Sequence, residues 1–177
     1  MAHYLQAIRR PFADLSLLIT FSFLSFFPVI NLIILGYLLD IIAGPLGELP
    51  EPDQILRLFV RGARGFAIAI TFFFLPAVVF FLFGGMSAFI TFIISIPGLL
   101  YSLTVLACEK SIESALSLRT LALAYRFGYV SQLFLALVVT FSIMVFLLFI
   151  PLLGWVSVLF APGVTLATLL GDLKEEV

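Results

Sequence analysis

The sequence predicts an all-α, polytopic helical membrane protein made of three helical hairpins, with amphipathic helices at the membrane surface. Three observations predict it. All 19 Lys, Arg, Asp and Glu residues fall in four short stretches, and residues 15–39, 65–108 and 127–171 carry no charge. A charged side chain costs roughly 2.5–3.5 kcal/mol at a bilayer centre, so charge-free runs of this length are matched to lipid. The 177-residue chain is 63% hydrophobic with a mean hydropathy of +1.28, and only 11% charged, where a soluble domain has about 25%. Its 21 Phe cluster in runs such as Phe72-Phe73-Phe74 and Phe80-Phe81. One core of this size could not enclose so much apolar surface. Residues 1–177 are therefore read as a single integral membrane domain.

The elements follow in chain order. Residues 2–12 give a short surface helix, with Leu5, Ile8 and Phe12 apolar and Arg9 and Arg10 polar. Arg9 and Arg10 before an apolar run imitate a secretory leader. Pro28 and Asn31 follow in place of a small-x-small cleavage site, so the segment is expected to be retained. The first apolar block lies between Asp14 and Asp40 and is interrupted at Pro28-Val29-Ile30-Asn31. Each arm would be roughly 16–20 Å long at 1.5 Å per residue, against a hydrocarbon core of about 30 Å. Residues 13–43 thus form either a re-entrant hairpin or one kinked spanning helix.

Residues 53–65 read as a basic amphipathic helix lying on the membrane. Arg57, Arg61 and Arg64 fall at i, i+4 and i+7, Ile55, Phe59, Gly62 and Phe66 form the opposite stripe, and Asp53 is placed to cap the start. Residues 66–107 make the second hairpin, with helices over 66–83 and 86–107 and a turn at Gly84-Gly85. Residues 110–127 form a weaker surface helix. Residues 131–170 make the third hairpin, with helices over 131–150 and 152–170. Its turn is at Pro151-Leu152-Leu153-Gly154, followed by Trp155 as an interfacial anchor. The resulting order, surface helix then hairpin, reads as a unit repeated three times.

With three hairpins, both termini and all nine Lys and Arg share one side. The positive-inside bias then makes that side cytoplasmic in a multi-pass protein of the cell membrane. A single spanning helix over 15–39 would export Arg9 and Arg10 instead.

Several short motifs run from the first hairpin into the second: Pro28-Val29-Ile30-Asn31, Leu35-Gly36-Tyr37-Leu38-Leu39, Leu49-Pro50-Glu51 and Leu58-Phe59-Val60-Arg61-Gly62. Over about residues 8–70 the chain resembles the membrane family known as domain of unknown function 4013, frequent in archaea. Members of that family tend to show a Pro-x-x-Asn turn, a Gly-Tyr pair, a Leu-Pro loop and a Phe-x-x-Gly lead into the next helix. Relatives often have an aromatic residue where this chain has Pro52, and a basic residue soon after Gly-Tyr, where it has Asp40. The resemblance implies a small helical membrane protein and brings no activity and no catalytic residues.

The residues hold little for chemistry. His3 is the sole histidine, and one histidine makes neither a metal cluster nor a nucleophile–base pair. Cys108 is the sole cysteine and reads as a small packing residue. No phosphate-loop, dinucleotide or zinc-protease motif occurs. No enzyme activity, cofactor or metal is therefore expected, and a net charge of −1 draws no nucleic acid. Asp14 and Asp40 could hold a cation or proton at the mouth of the first hairpin, or simply end the apolar block and meet Arg9, Arg10 or headgroups. Ser87, Thr91, Ser95 and Ser102 share one helix face, which favours close packing over a conduit. Asn31 and Gln132 are polar outliers within apolar blocks, and Glu109 and Lys110 mark a helix end at the interface.

The expected role is a non-enzymatic structural, scaffolding or accessory component of the membrane, alone, as a homo-oligomer or within a larger membrane complex. Its first partner is the bilayer. The alternative is transport of a small solute at proline-broken helices, with Asn31 and Asp40 as polar contacts.

Overall fold

A computed structural model describes residues 4–25, 27, 29–45, 49–52, 54–149, 157–158 and 160–173. Among them the structure is helical and contains no strand, in agreement with the all-α expectation. His3, Pro28, Asp53, the turn at residues 151–154 and Trp155 lie outside the described residues.

The helices are α1 (Tyr4–Arg9), α2 (Leu15–Leu24), α3 (Ile30–Ala43), α4 (Ile55–Phe83), α5 (Gly85–Glu109), α6 (Ile112–Ala115), α7 (Leu118–Ala124), α8 (Phe127–Leu148) and α9 (Phe160–Leu173), with a 3-10 turn at Arg10–Phe12. Three of them, α4, α5 and α8, are long and apolar enough to cross a membrane. The other apolar helices, α2, α3 and α9, have only 10–14 residues. At 1.5 Å per residue, 14 residues reach about 21 Å, short of a hydrocarbon core of about 30 Å.

The first apolar block is two short helices joined through residues 25–29, not one kinked helix. Asp14 starts α2 by accepting the backbone N–H of Leu17 at 3.0 Å, a standard N-cap. In the second block α4 and α5 pack against each other. Gly84 links α4 to α5 with φ +86°, a conformation side chains disfavour and glycine adopts freely.

Three expected boundaries change. The surface helix over 53–65 and the spanning helix over 66–83 are one 29-residue helix, α4. Nothing between residues 55 and 75 breaks a helix, and its length of about 43 Å exceeds the hydrocarbon core. The surface helix over 110–127 is two short helices, opened by the Ser111 and Ser117 caps. They fold back along α5, so that the Tyr125 hydroxyl donates to the Ile94 carbonyl at 2.8 Å. That carbonyl lies in the turn preceding Pro97, next to the Ile93 carbonyl whose backbone donor the proline removes. In the last block, α9 starts at Phe160 and is buried over nearly its whole length. It is apolar on all sides, as befits a core helix, and it packs against α3, α8, α1 and the 3-10 turn.

The faces of α4 divide by side-chain size. Its buried residues over the first four turns are Leu58, Gly62, Gly65 and Ile68. Of the apolar stripe expected to meet the membrane surface, Ile55 and Phe66 are exposed and Gly62 is buried. The arginine stripe lies one residue ahead of the buried stripe, at the packed edge. Small residues face inward because they let backbones approach, while bulky apolar residues are left for the surroundings, the pattern of helices packed in lipid.

Gly36 and Gly62 set the closest approach. A Cβ on Gly36 would collide with the Leu58 carbonyl, and one on Gly62 with the Leu32 carbonyl. Backbone thus meets backbone where α3 crosses α4. Just beyond the crossing, fully buried Tyr37 meets Phe21 of α2 edge-on at 4.9 Å, and Phe160 of α9 at 6.3 Å between centroids. Such aromatic contacts add about 0.5–1.5 kcal/mol each beyond area burial.

Gly36→Ala and Gly62→Ala should each destabilise the protein by about 2–3 kcal/mol, despite a helix-propensity gain of roughly 1 kcal/mol. Gly65→Ala should be nearly neutral, because its Cβ would meet only the flexible ends of Leu39 and Leu35, at 3.1 and 3.3 Å. Thermal unfolding in detergent checks the contrast.

Candidate functional site

The glycine crossing brings charge together. Asp40 lies one turn beyond Gly36 on α3. Arg61 directly precedes Gly62 on α4, and Arg57 lies one turn earlier. With the backbones in contact, a short aspartate on one helix reaches both arginines on the other. Asp40 Oδ2 accepts from Arg57 at 3.0 Å, and Asp40 Oδ1 accepts from Arg61. The Asp40 side chain is 9% exposed, that of Arg61 16% and that of Arg57 52%.

The same arginine stripe closes the end of α5. Arg61 also donates to the Ala107 carbonyl, and Arg64 donates to the Lys110 carbonyl at 3.3 Å. The last carbonyls of a helix lack intrahelical donors and carry the negative end of its dipole, so guanidinium groups satisfy them in both respects. Lys110, the C-cap, takes a left-handed conformation with φ 58°. The three arginines expected at the membrane interface therefore also join three helix segments.

Beside this junction is an open groove of about 740 Å³. Arg57, Arg61, Arg64 and Lys110 line it, together with Ile55, Leu56, Val60 and Leu106. Ile55, Leu56 and Val60 are exposed. The site thus combines cationic donors with an apolar lip.

The remaining polar candidates are dispersed. Asp14 is committed to its helix cap, so the structure gives Asp14 and Asp40 separate roles and pairs Asp40 with Arg57 and Arg61 rather than with Arg9 or Arg10. Asn31 is exposed in the first turn of α3. Thr91 and Ser95 donate to carbonyls one turn back in their own helix, at 2.8 Å each. Cys108 is exposed rather than a packing residue. Among the described residues no group of three His, Cys, Asp or Glu could hold a metal ion.

A second polar junction has no signal in the local sequence. Arg10, expected on the polar face of a surface helix, is buried at 5% exposure. It donates to the Pro45 carbonyl at 2.9 Å and to Thr168 Oγ1 of α9 at 3.4 Å. Burial lowers its pKa from the ordinary arginine value, while the nearby Tyr37 and Asp172 pull it back up. It ties the N-terminal turn to α9 across 158 residues, a separation at which no spacing rule operates.

The comparisons with known proteins follow this geometry. The profile of the family described as "Protein of unknown function (DUF4013)" matches residues 20–170. The chain belongs to this family. No curated protein and no solved structure matches it. Gly36, Tyr37 and Gly62, on which the resemblance to the family rests, fall at the α3–α4 crossing.

Asp40→Asn should cost about 3 kcal/mol, because it leaves the half-buried Arg61 without its counter-charge. Arg57→Gln should cost well under 1 kcal/mol, since Arg57 is half exposed. Denaturation in detergent of the two variants beside the wild type gives the comparison.

Proposed function

We propose that this protein is a non-enzymatic, multi-pass component of the cell membrane with a structural, scaffolding or accessory role. Its exposed apolar surface carries this reading. Around the α4–α5 tip, Phe80, Phe81, Leu82, Phe83, Met86 and Phe89 are all exposed, and α8 presents Phe134, Phe141 and Phe146. Apolar surface this extensive calls for lipid or a protein partner.

The buried residues of α5 lie only between Gly98 and Ala107. The tip formed by the start of α5 and the end of α4 is therefore exposed as an apolar finger. A finger of this kind, beside short apolar helices, occupies the two leaflets unequally. Unequal occupancy favours a role in shaping the bilayer or in holding a partner, as a homo-oligomer or in a larger membrane complex. The charge distribution favours termini in the cytoplasm, with Arg57, Arg61, Arg64 and Trp155 at the interface. The transport alternative draws no support from its polar contacts: Asp40 is held by two arginines and Asn31 is exposed at the start of α3.

Reconstituted into liposomes, the protein should resist alkaline extraction and either change vesicle shape or co-purify with a defined partner from its native membrane. Extraction as a soluble protein would refute the membrane reading. Stable insertion with inert vesicles and no partner would refute the role.

A further inference from the structure

We propose that the groove between the start of α4 and the end of α5 binds the phosphate of an anionic phospholipid. The inference rests on the membrane reading above and names a ligand for its basic site.

The charge balance favours an anion. Among the described residues, four cationic side chains line the groove and no acidic side chain does. Asp40, behind the groove, offsets one of them. Glu109 neighbours Lys110 in sequence and is outside the lining. The negative end of the α5 dipole is already occupied by Arg61 and Arg64. A positive surplus therefore remains at the opening, where Arg64 and Lys110 are both exposed.

The groove is also pre-organised. Asp40 and the Ala107 carbonyl fix the Arg61 guanidinium from behind. A planar donor held in place loses little freedom when it takes up a phosphate oxygen.

Depth distinguishes a lipid from a free phosphate. The charge-free part of α4 begins at Gly65, one residue after Arg64. From Phe66 to Phe83 the helix covers about 26 Å, close to the hydrocarbon thickness. That places Arg57, Arg61 and Arg64 at headgroup level. A phosphate held at that level lies in the headgroup layer, where in a bilayer it belongs to a lipid.

The test uses the full chain in neutral detergent, with native mass spectrometry and thermal unfolding as readouts. The probes are short-chain phosphatidylglycerol, short-chain phosphatidylcholine and inorganic phosphate. Phosphatidylglycerol should bind once per chain and raise the melting temperature, and phosphatidylcholine should bind more weakly. Arg64→Gln/Lys110→Gln should weaken phosphatidylglycerol binding by roughly ten- to thirtyfold, the loss expected for two cations. Both positions are exposed and lie outside the Asp40 pair, and thermal unfolding of the lipid-free variant checks that the fold is kept. Arg119→Gln/Arg126→Gln, which removes the same charge elsewhere, should bind as the wild type does. Equal losses in the two double variants, or no phosphatidylglycerol binding, would overturn the proposal. Inorganic phosphate binding as tightly as phosphatidylglycerol would overturn the lipid assignment. Alkaline extraction, run in parallel, separates the readings: a chain that inserts but binds no anionic lipid refutes the groove alone, and one that fails to insert refutes the membrane role.

Discussion

The backbone contact between α3 and α4 at Gly36 and Gly62 is the constraint on which the rest of this structure depends. Two helices without side chains at their crossing can approach until carbonyl and Cα are in contact. That approach lets a short aspartate reach across to Arg57 and Arg61. It also fixes the rotation of α3, which sends Tyr37 into the aromatic contact with Phe21 and Phe160. Through Arg61 the same crossing reaches the end of α5. Packing and electrostatics therefore have one origin here. The glycines select the geometry, and the ion pair and carbonyl contacts hold the rotation that makes it possible.

The solvent explains the distribution of side chains around this crossing. In water, bulky apolar residues on α4 would turn inward and arginines outward. Here Phe66 and Phe73 are exposed, Gly62 and Gly65 are buried, and the arginines sit at the packed edge. Where the surroundings are as apolar as Phe itself, burying Phe gains little, and close backbone contact and polar pairing decide which face turns in. The charged ends of the helices find partners within the protein: α5 is closed by arginines from α4, and the N-terminal turn is fastened to α9 through Arg10.

Much of the fold was legible in the sequence because charges are costly in lipid and glycine pairs make turns. The helical class, the long apolar helices and the turn at Gly84 were all readable from residue type. The stripe Arg57, Arg61, Arg64 was readable as a periodicity, but its direction was not. The stripe opposite the arginines reads as a membrane-facing surface, while its Gly62 packs against α3, a contact that only the distant Leu32 supplies. The joining of residues 55–65 to 66–83 was missed because the composition changes at Arg64 while the backbone has no reason to break. The pairing of Asp40 with α4 was hidden because Arg9 and Arg10 are just as available in the sequence. Cys108, Arg10 and the buried course of α9 depend on contacts between distant segments, for which local pattern holds no signal.

The most direct test of the crossing is disulfide trapping in a Cys108→Ala background. Leu35 Cγ lies 3.5 Å from the position of a Cβ on residue 65, within reach of a disulfide between cysteines at these positions. Leu35→Cys/Gly65→Cys should lose both thiols to maleimide labelling after mild oxidation in the membrane and regain them on reduction. Leu35→Cys/Phe66→Cys, with the second cysteine one residue away on the exposed face, should remain labelled. Persistent labelling of the first pair, or equal trapping of both, would contradict the contact on which the account rests.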